Sequence, residues 1–157
     1  MRPALAALLL IGLVSPVPAK ATASDFRIVL NRSACFGACP DYTVTVEADG
    51  QVTFSGRRFV SCIGETHWRV PRAQVRALET RVERMRFFDL KSEYRAHVTD
   101  LPTQTITVRS RGRTQTVVDY GGRMAGMPKS VSDLEVLIDQ RSNDAACRAR
   151  DARQSPP

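Results

Sequence analysis

Apolar and polar residues alternate for most of Phe26-Arg-Ile-Val-Leu30 and strictly along Tyr42-Thr-Val-Thr-Val-Glu-Ala48. This is the two-residue period of half-buried strands, and it puts Tyr42, Val44 and Val46 on one face. Asp49-Gly50 is a hairpin signal, because both central residues of a tight type I′ turn need positive φ. Gln51 to Ser55 returns from it as a third strand that buries Val52 and Phe54. Phe59 to Ile63 and His67 to Val70 are weaker strands, broken by Gly64.

The period then changes. Pro71 opens a helix, where its missing N–H costs nothing. Val75, Leu78, Val82 and Met85 recur at helical spacing as one apolar stripe with Leu78 in its middle, while Arg72, Arg76 and Arg84 point mainly to water. Phe87, Phe88 and Leu90 close this helix against the sheet. Tyr94 to Pro102 reads as a loop, Thr103 to Arg109 as a strand, and Arg111-Gly112 turns it back into Gln115 to Tyr120. Pro128 opens a last helix with Val131, Leu134, Leu137 and Ile138 facing inward. The predicted order is β-β-β-(β)-α-β-β-α. It implies an α+β fold, a mainly antiparallel sheet with two helices packed on one face.

The first 25 residues carry none of these patterns. Arg2 precedes an apolar run from Ala4 to Val14, and small residues follow at Ala19-Lys20-Ala21 and Ala21-Thr22-Ala23. These are the parts of a cleavable secretory signal, and the run falls short of the roughly 20 residues that a membrane span needs. The expected organisation is a signal peptide over 1–23, one α+β domain over 24–147 and a disordered polar tail over 148–157. Loss of Arg2 and Lys20 lowers the net charge from +7 to +5 and leaves almost only arginine as the basic residue. The expected location is the periplasm or the extracellular medium, with no membrane span.

Export changes the reading of the four cysteines, Cys35, Cys39, Cys62 and Cys147. In an oxidising compartment an even count reads first as disulfides. Four cysteines allow three pairings; Cys35–Cys39 with Cys62–Cys147 is favoured. The first pair is local, with Gly37 and Pro40 bending the loop, and the second would pin the C-terminal segment to the middle of the domain.

Read together, four segments carry a resemblance: Cys35-Phe-Gly-Ala-Cys-Pro-Asp-Tyr42, Asp49-Gly50, Thr99-Asp100-Leu-Pro102, and Gly126-Met-Pro128 running into Leu134-Glu135-x-x-Ile138-Asp139. In this order and spacing the chain resembles the bacterial family called domain of unknown function 6438, from about Phe26 to Asp139. The family is largely exported and has no assigned activity, so the resemblance implies no catalytic residues. Cys62 and Cys147 lie outside its pattern.

Candidate chemistry is sparse. The CFGACP loop is also similar to the CxxxCP of Sco-type copper chaperones, where two thiolates and a distant histidine hold copper. Soft thiolates suit Cu(I), which makes Cys35 and Cys39 with His67 or His97 a redox or metal candidate. A strand follows the motif here instead of a helix, which favours a structural bridge. The cysteines do not come as the two close pairs typical of structural zinc. No G-x-S-x-G, S-x-x-K or H-E-x-x-H occurs, and no cofactor motif is found. Arg109, Arg111 and Arg113 recur at period two across a hairpin and are a candidate anion-binding stripe, suited to lipopolysaccharide phosphates. They lack interleaved aromatics, which argues against nucleic acid. The expectation is a non-enzymatic exported domain that binds an envelope protein or an anionic cell-surface component, with thiol-redox or copper handling as the alternative.

Overall fold

The computed structural model describes residues 24–154, so the signal peptide assigned to 1–23 lies outside the described residues. Seven strands form one sheet: β1 (Arg27–Arg32), β2 (Asp41–Glu47), β3 (Gln51–Arg58), β4 (Gly64–Arg69), β5 (Glu93–Arg95), β6 (Gln104–Ser110) and β7 (Arg113–Tyr120). Their spatial order is β4-β3-β2-β1-β6-β7-β5, antiparallel except where β5 pairs with β7. Two helices complete the α+β fold, α1 (Arg72–Arg84) and α2 (Lys129–Gln154), and a 3₁₀ turn, Phe87–Asp89, follows α1.

Three readings change. Phe59 to Ile63 is a loop, and a single β4 pairs with β3 from Gly64 onward. Glu93–Arg95, which overlaps the start of the segment Tyr94 to Pro102 read as a loop, is a short edge strand held by parallel pairing to β7. No hairpin turn announces a parallel partner, and three residues carry too little alternation to be seen. The tail expected to be disordered is helical as far as Gln154. Ala149, Arg150, Ala152 and Arg153 are strong helix formers, and no glycine or proline intervenes before Pro156 to stop α2.

Register puts Ile28, Leu30, Val44, Phe54, Ile106, Val108 and Val117 on one face. All seven are buried there under the helices, together with Val131 and Leu134 of α2. Tyr42 stacks on Phe54 in this layer with ring centroids 5.2 Å apart. The opposite face carries Asn31, Thr43, Thr45, Thr53, Thr105, Thr107 and Thr116. Asn31 Nδ2 donates to Thr43 Oγ1 (2.8 Å), and the Thr107 and Thr116 hydroxyls share a 2.9 Å bond.

Both helices cross the strands. α1 starts beside the β2–β3 hairpin, where the Val70 N–H donates to the Gly50 carbonyl (2.9 Å). Glycine is required at position 50: φ is +92°, and a Cβ would lie 2.2 Å from the Val70 oxygen. The helix ends at the β6–β7 hairpin, where Ser110 donates to Glu79 (2.9 Å) and Arg111 pairs with Glu83 (2.7 Å). α2 crosses the other end of the sheet in the opposite direction. Its Glu135 lies against Asp119 of β7, its Asp139 against β1 and β2, and its Cys147 is bonded to Cys62 beyond β3.

Only Val75 and Val82 of the α1 stripe are fully buried; Leu78, expected at its centre, is half-exposed because it lines a cleft. Val82→Ala should therefore cost about 2 kcal/mol, near the low end for truncations of buried aliphatic side chains, and Leu78→Ala less. Arg76→Ala should stay within about 0.5 kcal/mol. Urea denaturation of the three variants measures the order, and a Leu78→Ala cost exceeding that of Val82→Ala would contradict it.

Candidate functional site

One continuous row of paired residues crosses the sheet near the end under α2. It runs Gly56, Tyr42, Arg32, Gln104, Asp119, Tyr94, all on the helix-covered face. The Asp139 carboxylate of α2 descends onto it, accepting from Arg32 Nη1 (2.5 Å) and from the Tyr42 hydroxyl (2.6 Å). Burial, and then the bond to Asp139, push the Tyr42 ionisation far above its ordinary range, so the hydroxyl stays a donor. One turn earlier, Glu135 is 3 % exposed and meets Asp119, which is 8 % exposed. Asp119 Oδ1 accepts the Gly122 N–H (2.5 Å), which turns the chain out of β7. Burial first, then the charge of Asp119 and a hydrogen bond to it, raise the Glu135 carboxyl to about 8. At neutral pH it keeps its proton and donates to Asp119. Arg32, Tyr42, Asp119, Glu135 and Asp139 together clamp α2 across the strands.

With α1 fixed at one end of the sheet and α2 at the other, a cleft of about 550 Å³ lies between them. Val46, Val52 and Trp68, consecutive in register across β2, β3 and β4, make its floor. One wall is Ala73, Val75, Ala77 and Leu78 of α1; the other is Leu137, Ile138 and Ser142 of α2. The two alanines are too small to fill the gap that the anchors leave. Gln74, Arg81 and Ser142 are the polar residues of the lining. Ser142 is satisfied by its bond to the Ile138 carbonyl (2.7 Å), and Arg81 is exposed and makes no ion pair among the described residues. The volume is that of a small-molecule pocket, with an apolar interior and one cation at the rim.

The residues singled out in the sequence lie elsewhere. Cys35 is bonded to Cys39 and Cys62 to Cys147, the pairing favoured above. His67 sits on the open face of β4, with Nδ1 3.1 Å from Thr53 Oγ1 and Nε2 3.0 Å from Glu65 Oε1, so both ring nitrogens are engaged. His97 is exposed in the loop after β5. Among the described residues no group of three or more histidine, cysteine or carboxylate side chains is placed to hold a metal ion. The arginines do not form one stripe. Ser110 faces Arg113 across the β6–β7 hairpin, so Arg113 lies on the helix side and Arg109 on the open side. Arg109 pairs with Asp25 (3.5 Å), Arg111 with Glu83, and Arg113 covers the Phe88 ring at 4.2 Å. The Gly112 N–H, foremost, and that of Arg111 hold the Asp25 carboxyl below its ordinary range at this turn.

A family model of a domain of unknown function, numbered 6438, matches residues 26–142, well over half of the chain. The chain belongs to this family. No curated protein matches it. The matched 6438 region runs from the start of β1 to Ser142 and contains every residue of the clamp and of the cleft lining. It stops short of Cys147, so the longer disulfide lies partly outside it. Two of the segments that carried the resemblance meet in space, because Tyr42 follows CFGACP and Asp139 ends the Leu134 to Asp139 segment.

The clamp makes stability depend on pH. Glu135 titrates near 8 in the folded chain and near its ordinary value of 4.5 when unfolded. Between these values the folded state binds more protons, so stability falls as pH rises through the window and levels off above it. Glu135→Gln removes this slope and should be more stable than wild type at pH 8.5 by about 1–3 kcal/mol. Denaturation midpoints across pH 5 to about 8.5 test this; parallel profiles for the two proteins would contradict it.

Proposed function

We propose that the protein is an exported, non-enzymatic binding domain of the cell envelope whose cleft takes the apolar chain of an anionic amphiphile. The carrying observation is the 550 Å³ cleft, apolar on its floor and, apart from Gln74 and Ser142, on both walls, with an arginine at its rim that makes no ion pair among the described residues. An acyl chain buries hydrocarbon against Val46, Val52 and Trp68, and a carboxylate or phosphate head group stays in water beside Arg81. The lining offers neither a nucleophile paired with a base nor a carboxylate pair, so the cleft is suited to holding a ligand. Two disulfides fit an oxidising compartment, and no described helix is long and apolar enough to cross a membrane. The signal sequence read in residues 1–23 supplies the route out of the cell in this reading.

A second reading keeps Cys35–Cys39 as a redox pair. It is favoured by one observation: both cysteines of this bridge are only half-buried, whereas the other bridge joins a half-buried Cys147 to Cys62, which is 1 % exposed. Resistance of the Cys35–Cys39 bond to millimolar glutathione separates a structural bridge from a redox-active one.

Trp68 is the single tryptophan of the chain and lies on the cleft floor, so it reports occupancy directly. Titration with dodecanoate should shift its emission saturably in the micromolar range. Ala77→Phe, which fills the cleft, should abolish the shift, and Arg81→Gln should weaken dodecanoate binding by about 2- to 5-fold, as for an exposed ion pair. A linear, unsaturable response, or the same response in Ala77→Phe, would refute the assignment.

A further inference from the structure

The two ends of the sheet differ in character. Four connections leave at the end crossed by α2: residues 33–40 between β1 and β2, 59–63 between β3 and β4, 96–103 between β5 and β6, and 121–128 between β7 and α2. Six large apolar side chains are exposed among the described residues. Five of them, Phe36, Phe59, Ile63, Val98 and Met124, sit in these four connections, and none sits at the opposite end. The opposite end is built of charged hairpins, with Asp49 on Arg69 and Glu83 on Arg111.

Two of the apolar loops are cross-linked by disulfides. Phe36 is 89 % exposed at the tip of the short loop that the Cys35–Cys39 bond closes. The Phe59 to Ile63 loop folds over Gly56, where a Cβ would lie 2.0 Å from the Cys62 oxygen, and Cys62 ties it to α2. Phe59 itself has φ +53°, a left-handed conformation that a bulky aromatic residue rarely adopts unless its surroundings impose it. Each disulfide thus fixes one loop that presents an apolar tip to solvent.

From this geometry we infer that the loop end of the sheet docks on an anionic lipid surface. The tips leave from strands spread over five sheet spacings, roughly 24 Å, so they are separate points along one end of the sheet. A bilayer accepts separate side chains without shape complementarity and rewards each with hydrocarbon burial. Arg57, Arg58, Arg95, Arg123 and Lys129 stand in or beside these connections against Asp41, Glu65, Glu93 and Asp100, and the chain without residues 1–23 is net positive at +5. Anionic head groups complement this balance. The docking end does not include the cleft, so it stands whether or not the cleft takes an amphiphile.

The test uses the full chain in every variant, which keeps any contribution of residues 1–23 constant. In a Trp68→Phe background, Phe36→Trp places the sole tryptophan on the first loop tip. With vesicles of equal parts phosphatidylglycerol and phosphatidylcholine, its emission should move to the blue, and lipids brominated on the acyl chain should quench it. In the wild-type background, Phe36→Ser with Ile63→Ser should reduce vesicle flotation by about tenfold or more without lowering the thermal midpoint. Unshifted, unquenched emission from the Phe36→Trp variant would overturn the proposal, as would equal flotation of wild type and double variant. A blue shift that grows with protein concentration in the absence of vesicles would overturn it in favour of a protein interface.

Discussion

The Asp139 carboxylate accepts at once from the Arg32 guanidinium and the Tyr42 hydroxyl, and through it a helix is fixed across strands that are not its neighbours in sequence. A half-buried ion pair of this kind adds little net stability, because desolvation offsets most of its Coulomb energy. What it supplies is position. Breaking one partner leaves a charge stranded under α2, so alternative placements of the helix are strongly penalised. Asp119 and protonated Glu135 repeat the arrangement one turn earlier, and the Cys62–Cys147 bond fixes the far end of the helix. In the chain-entropy account, closing a loop of 85 residues contributes up to about 4.6 kcal/mol beyond that.

The cleft follows from where the two helices are held. Ser110 and Arg111 tether α1 at the β6–β7 hairpin, while the Arg32 and Asp119 row tethers α2 at the other end. Helices free to slide would close the space between them, since each buried methylene contributes about 0.8 kcal/mol. Here the polar anchors prevent the slide, and Ala73 and Ala77 on the facing wall are too short to bridge it. The same clamp lies beside the loops with apolar tips, so one set of contacts orders both surfaces assigned to binding.

Much of this architecture is legible in the sequence because it rests on local pattern. Strict alternation from Tyr42 to Ala48, the Asp49-Gly50 turn and the stripe beginning at Val75 each define an element without knowledge of its neighbours. The site is less legible. Asp119 and Glu135 occupy inward positions, beside Val117 and Leu134, and a carboxylate at such a position is a visible signal. Their partners are not visible: Arg32 to Asp139 spans 107 residues, and only the sheet order joins them. The arginine row dissolves for a related reason. Period two holds within a strand, but the two-residue turn at Arg111 and Gly112 resets the faces, which separates Arg109 from Arg113. Leu78 departs from its expected burial because helical spacing shows which side of a helix faces the sheet but not whether a second helix closes over it.

In the proposed function the space between α1 and α2 receives an apolar chain while the clamp holds its shape. Methyl-resolved NMR with added dodecanoate addresses this directly. Saturable shifts are expected at the methyls of Val46, Val52, Leu78 and Leu137, with those of Leu30 and Val117, near the clamp, unchanged. Shifts spread evenly over the core, or confined to residues outside the cleft, would contradict it.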